Sequence, residues 1–420
     1  MILWWIETTL SALLIVTTIM VFILVYLALF FKVNWVRYPN HQSSAKYFIA
    51  KHRKRGTLPP VYPNGWFALL ESSELKRGEV KHVTAIGENF AVFRTETGIV
   101  NILDAYCPHL GANMGEGGVV KGECLECPFH SWIFRGDGHC QSIPYAEKVP
   151  PNAKVKAWKS CEVNQLIFVW YHAESEKPNW KPQSIEEISN GSWKYQGRNE
   201  FYVNSHIQDI PENGADQAHL SSVHGPAMFL QDLFPNLARH SWTEAVWIAC
   251  KKECKTEEDI TSTSTSLPNV VAERENAETN DRHKAILRLK HSLVLFEKYK
   301  ILQLSVEAVQ IGPGYVELRL DSRWGPLCIL QTVTPVEPLL QRITHLMFSS
   351  RFLGLYAKVV MIGETVMFER DLQVWNNKTF AKTPVLVKQD RTILDFRRWF
   401  SQFYSANSPT FQSASESLSW

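Results

Sequence analysis

An α+β chain is what this sequence predicts: an N-terminal transmembrane helix, an antiparallel-β domain, then a larger domain of antiparallel sheet and helices. Three observations carry that expectation. No charged residue occurs from Thr8 to Phe31. Short apolar-alternating runs ending at turn residues (Phe90 to Arg94, Ile99 to Leu103, Trp132 to Phe134) read as antiparallel strands. Further on, strand-like runs such as LQLSVEAVQIG and GYVELRLDSRW precede a helical stretch from Lys358 to Lys378.

The first element is long enough to cross a bilayer as a helix. Trp4, Trp5 and Trp35 flank it as interfacial aromatics do. Glu7 before the run and no A-x-A site after it argue against a cleaved signal peptide. Lys32, Arg37, Lys46, Lys51, Arg53, Lys54 and Arg55 follow, so the positive-inside rule puts the bulk of the chain in the cytosol. Residues 1–35 are the expected anchor and 36–64 a basic linker. Lys plus Arg is 44 against 42 acidic residues, which gives no reason to expect a nucleic-acid partner.

The first globular domain spans 65–172. Its chemistry lies in Cys107-Pro-His109 and Cys127-Pro-Phe-His130, two loops that each supply one thiolate and one imidazole. A Rieske 2Fe–2S cluster uses that inventory, two Cys on one iron and two His on the other. A Cys2His2 zinc site also takes two of each, but usually as a Cys pair followed by a His pair. Pro108 and Pro128 stiffen the loops. The other six cysteines have irregular spacing and are expected as reduced thiols.

Residues 173–191, polar and Pro-bearing, read as a second linker. The second domain is expected over 192–404, with a charged Ser/Thr/Asn-rich excursion from Lys251 to Lys284 and a disordered tail over 405–420. Its signal is Asp216-x-x-His219-x-x-x-x-His224. Five residues separate the histidines by about 140° on an ideal helix, so both reach one metal only if the helix is distorted or ends between them. Two imidazoles and a distant carboxylate would make the triad that holds Fe(II) and leaves positions open for O2. The candidate carboxylates are Glu364, Glu369 and Asp371 on the Lys358–Lys378 run, with Glu364, Phe368, Asp371 and Trp375 on one side.

Taken together, these residues resemble the Rieske non-haem iron oxygenases. QDIPENGADQAHLSSVHG, ECPFHSWIFRGDG, FERDLQVWNNK and the single anchor are most similar to the animal cholesterol 7-desaturases of the Neverland type. The chain is also similar to the bacterial 3-ketosteroid 9α-hydroxylases. The resemblance implies a helix-grip-like catalytic domain. It implies a 2Fe–2S cluster on Cys107, His109, Cys127 and His130, and a mononuclear iron on His219, His224 and Asp371. Asp216 would link the two centres across a homotrimer, and Asn213 would be a polar neighbour of the iron. Cholesterol and O2 would be the substrates, with NAD(P)H electrons arriving through a separate reductase. The product would be 7-dehydrocholesterol, on a route to ecdysteroid or dafachronic-acid-type steroids, and the membrane that of the endoplasmic reticulum. A steroid hydroxylase shares the same motifs. A membrane-anchored electron carrier would need only the first domain.

Overall fold

The computed structural model describes residues 2–37, 56–225, 237–250 and 281–418. Helix α1 (Ile2–Leu29) contains the apolar stretch Ser11–Leu29, of mean hydropathy 2.8, none of it buried inside the protein. Its length and composition are compatible with a single-pass anchor.

The chain continues straight into β1 (Val33–Arg37), which pairs in parallel with Gly197–Phe201 of the second domain. This corrects the expected boundary at 35/36: the apolar helix runs directly into the catalytic sheet. The far end of the expected 36–64 linker is also structured, because Val61 and Tyr62 are buried in the main core. The basic residues Lys46 to Arg55 lie outside the described residues.

The first domain is wholly antiparallel. It comprises β2 (Gly65–Glu71), β3 (Val80–Ala85), β4 (Glu88–Arg94), β5 (Val100–Asp104), β6 (Val119–Lys121), β7 (Cys124–Glu126), β8 (Ile133–Arg135), β9 (Cys140–Ser142), β10 (Ala157–Trp158), β11 (Ser160–Val163) and β12 (Leu166–Tyr171). They form three small sheets, ordered β10-β5-β4-β3, β11-β12-β2 and β6-β7-β8-β9. The last of these carries the second Cys/His loop between β7 and β8.

Residues 173–191 are packed and do not behave as a free linker. The Trp180 ring stacks on His283, Ile185 and Ile188 are buried, and α2 (Glu186–Ser189) leads into the next strand. Their polar composition concealed three apolar residues that bury at intervals.

An eight-stranded sheet forms the second domain, ordered β1-β13-β19-β18-β17-β16-β15-β14. Its strands are β13 (Trp193–Asn204), β14 (Ala238–Ala249), β15 (Lys284–Leu295), β16 (Tyr299–Ile311), β17 (Tyr315–Ser322), β18 (Gly325–Glu337) and β19 (Leu340–Ser350). Between β13 and β14 come α3 (Asp209–Glu212) and α4 (Gln217–Val223). Helix α5 (Gly354–Trp375) packs on β13 and β19. It buries Ala357, Met361, Phe368, Leu372 and Trp375, spaced as one helix face. The mixed α+β architecture is as expected.

The two domains share one core. Phe67 and Leu69 of β2 cluster with Phe201, Val333, Ile343 and Phe368. Thr334 donates to Ala68 O at 2.8 Å and Arg342 to Leu69 O at 2.7 Å, so the edge of β2 is satisfied from the second domain. After α6 (Arg391–Phe400), the segment expected to be a disordered tail is ordered: α7 (Phe411–Ser417) is capped by Thr410 and buries Ala414. Pro409 O accepts from Val61 N–H at 2.9 Å, and the buried contacts outweigh the polar composition of the tail. Most of the Lys251–Lys284 excursion lies outside the described residues. Cys250, just before it, is disulfide-bonded, which departs from the expectation of reduced thiols. The six others described are free.

Candidate metal centres

The two Cys/His loops have one backbone design. Cys107 N–H donates to Ala112 O at 2.9 Å, and Cys107 O accepts from Gly111 N–H at 2.9 Å. Cys127 N–H donates to Trp132 O at 2.8 Å, and Cys127 O accepts from Ser131 N–H at 3.1 Å. The fourth residue after each Cys is left-handed, Gly111 at φ 73° and Ser131 at φ 56°. That turn reverses the chain while the His still points along the loop. His109 sits two residues after its Cys and His130 three after, yet their rings meet, with centroids 4.6 Å apart.

Cys107 and Cys127 are buried, whereas both histidines stay half-buried at the surface. Burial pushes the Cys107 thiol up to about 12, the Cys127 thiol beside it adding to the rise. His109 Nδ1 is buried and has no hydrogen-bond partner among the described residues. Trp132 stacks on that ring with centroids 4.8 Å apart. Two adjacent buried sulfurs and an orphaned imidazole nitrogen are a donor set that fits an iron–sulfur cluster. Cys124, which sits on β7, bonds Gln141 Oε1 at 3.0 Å through its thiol.

The second centre forms where α4 stops. Asp216 caps this helix, its carboxylate accepting from Ala218 N–H at 3.1 Å and His219 N–H at 3.2 Å. A metal-ligating histidine usually gives its other ring N–H to a carboxylate, and the three-residue spacing puts Asp216 within reach of His219. Instead His219 Nδ1 meets the Asp216 backbone carbonyl, because the cap turns the carboxylate onto the first-turn amides. The His219 Nε2 atom is left for another partner. Val223 ends α4, so His224 is the C-cap outside the regular helix and the five-residue spacing is no obstacle. Its Nε2 lies 3.3 Å from Asp371 Oδ2. One ligand atom each from His219, His224 and Asp371 lies within 4.8 Å of the others. His224 Nδ1 is buried without a hydrogen-bond partner among the described residues. The donor set fits a divalent iron.

The three candidate acids on α5 have separate partners. Asp371 faces the histidines. Glu364 Oε1 lies 2.8 Å from His345 Nδ1 on β19, and its Oε2 accepts from Asn199 Nδ2 on β13. Glu369 pairs with Arg37 of β1. Asn213 caps α3 and its carbonyl accepts from Asp216 N–H at 3.2 Å, one turn before the histidines.

Sequence reasoning missed a further polar cluster. His240 Nδ1 and His291 Nε2 lie 2.8 Å apart, and Trp242 packs on His291 with centroids at 4.4 Å. His240 Nε2 and Trp242 Nε1 are buried without hydrogen-bond partners among the described residues. His291 is paired with Leu304, a residue that packs with Met361 of α5, so the cluster shares the α5-facing side of the sheet. His240 N–H donates to Gly225 O at 2.7 Å, immediately after His224. Burial pushes both imidazoles down to about 4, so they stay neutral near pH 7. The two-residue spacing His240-x-Trp242 was the available signal.

Comparison with known proteins places these features. Residues 65–158 match the Rieske [2Fe-2S] domain, and residues 169–404 match the 3-ketosteroid 9alpha-hydroxylase C-terminal domain. A cholesterol 7-desaturase of Ciona intestinalis is 44% identical over 91% of this chain and 78% of its own length. One of Xenopus laevis is 43% identical over 89% and 78%. The oxygenase component of a probable 3-ketosteroid-9-alpha-monooxygenase of Rhodococcus rhodochrous is 29% identical over 83% and 82%. Among solved structures, dicamba monooxygenase covers 82% of this chain and 98% of its own at a TM-score of 0.54 and 14% identity. NdmB of Pseudomonas putida CBB5 covers 86% and 98% at 0.56 and 15%, and at such identities the likeness is one of fold. With both matched domains in order and both donor sets assembled, the chain belongs to the cholesterol 7-desaturase family of Rieske oxygenases.

Proposed function

We propose that this chain is a membrane-anchored oxygenase that desaturates cholesterol at C7–C8 to give 7-dehydrocholesterol. The observation that carries the reading is the convergence of His219, His224 and Asp371 in a chain whose relatives are named cholesterol 7-desaturase. The balanced reaction takes cholesterol, O2, two electrons and two protons to the diene and two waters. NAD(P)H supplies the electrons through a separate reductase.

When bound, the cluster would relay single electrons and the mononuclear iron would activate O2. Cys107, His109, Cys127 and His130 would hold the cluster, and His219, His224 and Asp371 the iron. The Asp216 carbonyl holds the His219 ring so that Nε2 remains the ligand atom. In a homotrimer, Asp216 would stand between the cluster of one subunit and the iron of the next, with Asn213 as a polar neighbour. An apolar cluster that includes Leu304, Ile329, Met347, Ala357 and Met361 lies between α5 and the sheet, as a sterol requires. His240 Nε2 and Trp242 Nε1 are two buried polar atoms on that side, without hydrogen-bond partners among the described residues, that a sterol hydroxyl could engage. Helix α1 would anchor the chain in the endoplasmic reticulum, and Lys32 and Arg37 after it support a cytosolic catalytic part.

A 3-ketosteroid hydroxylase is the second reading, favoured by the match over residues 169–404. Reconstituted full-length chain with a reductase, NAD(P)H, O2 and cholesterol separates them. The expected product is 7-dehydrocholesterol. A hydroxylated sterol without diene overturns the desaturase reading. An iron content of two per chain, and not three, would leave only an electron carrier.

A further inference from the structure

Helix α5 is apolar on two opposite sides in its first half. Its inward side buries Ala357 and Met361. Its outward side is a second stripe, beginning with Phe352 in the turn before the helix and continuing through Leu355, Val359 and Ile362. All four are exposed, Phe352 to 99%. A helix segment that is hydrophobic all round is normally covered on both sides. The stripe then changes character. Continuing at the same three- and four-residue spacing, it passes Val366 and reaches Glu369 and Gln373, and Glu369 is tied to Arg37. The exposed apolar part is about 15 Å long at the helical rise per residue.

The location of that part identifies its cover. The C-terminal end of α1 rests on the start of α5: Lys358 Nζ donates to Ala28 O at 2.8 Å, and a Cβ on Gly354 would come 2.6 Å from the same oxygen. The apolar end of α5 therefore lies level with the point where α1 leaves its membrane-length stretch. Beside it, the hairpin between β17 and β18 presents Trp324, whose ring meets Tyr356 of α5 at 4.8 Å. Arg323 lies over the Trp324 ring at 4.5 Å, and exposed Arg351 flanks Phe352. Aromatic rings beside arginines at the end of a membrane helix are the composition of a bilayer interface.

We infer that the first half of α5, with Phe352 and the Trp324 hairpin tip, is embedded in the surface of the bilayer that α1 crosses. The occupant of the stripe is lipid acyl chain, with headgroup phosphates against Arg323 and Arg351. The catalytic domain is thus seated on the membrane through a second contact of its own and does not hang from α1 alone. This stands independently of which sterol reaction the site performs.

The test uses full-length chain in phosphatidylcholine vesicles with a benzophenone amino acid at Phe352, Val359 or, as a control, the fully exposed Val385. Phe352 and Val359 project outward, so replacement leaves the core intact, and the visible spectrum of the cluster reports folding. Irradiation is expected to yield lipid adducts at Phe352 and Val359 and at least ten-fold less at Val385. Chain-to-chain products in place of lipid adducts would overturn the inference and make the stripe a contact between copies. Equal lipid labelling at all three positions, or none at any, would also overturn it.

Discussion

His224 Nε2 lies 3.3 Å from Asp371 Oδ2, which joins the C-cap residue of α4 to the last turns of α5. This contact selects one acid out of three. Glu364, two turns earlier, faces His345, and Glu369 faces Arg37.

Exchange of the acids should therefore give different results. Asp371→Asn is expected to drop iron from three to two per chain, keep the cluster spectrum and lower turnover by more than about 100-fold. Glu364→Gln should retain three irons but weaken the contact with buried His345, costing about 1–3 kcal/mol of stability. Metal analysis and denaturant unfolding separate the two outcomes. Retention of the third iron in Asp371→Asn would refute the assignment.

Asp216 is exposed to a different test. Asp216→Ala removes the α4 cap, a loss of about 1 kcal/mol, while the carbonyl that holds His219 remains. Both metals should stay, and electron transfer from NAD(P)H to product should be abolished if the carboxylate links the centres across subunits. Asp216→Asn keeps a capping oxygen and should restore stability without restoring turnover. Normal product formation by either variant would refute the linking role.

His206 predicts an acid limit to stability. Its Nε2–H donates to Pro60 O at 3.1 Å and its Nδ1 accepts from Gln208 N–H at 3.2 Å, so the ring is held neutral. Complete burial depresses its pKa below the usual 6.5, against a smaller opposing effect of Asp209. Below pH 6.5 the unfolded chain takes up a proton that the folded chain refuses, so stability present above that pH is lost as pH falls towards the folded value. Thermal unfolding of wild type against His206→Gln between pH 7 and pH 5 should show a shallower slope for the variant. Parallel slopes would assign the acid sensitivity elsewhere.

Arg397 on α6 clamps Glu212 of α3 with Nε–Oε2 at 2.6 Å and Nη2–Oε1 at 2.9 Å. Both side chains are largely buried beside the loop that leads to Asp216. Arg397→Met leaves a buried carboxylate unpaired and should destabilise the chain by about 3–5 kcal/mol. Adding Glu212→Gln to that variant should recover part of the loss, measured by chemical denaturation. Additive losses would show that the pair is not coupled.

Local chemistry was readable from residue types and spacing. Cys107, His109, Cys127 and His130 announced their site because each pair sits within one short loop. His219 and His224 did so because Gly225 follows them and the helix stops. Composition misled at 173–191 and 405–420, where Trp180, Ile185, Ile188 and Ala414 bury among polar neighbours. Burial depends on what the rest of the chain brings to a segment, and a local window carries no record of that. The Asp216 carboxylate shows the same limit: spacing puts it near His219 but does not say whether ring or amide receives it.

Residue types and their order along the chain thus determined the membrane-length helix, the two-loop cluster motif, the histidine pair and the family. Tertiary structure alone decided that Asp371 meets His224 across 147 positions, that β1 ties the apolar N-terminal helix to the catalytic sheet, and that His240, Trp242 and His291 share the side facing α5. Helical periodicity constrains which residues share a face but is blind to what that face meets. That is set by how α5 lies on β13 and β19, and the packing free energy is spread over a core that both domains build.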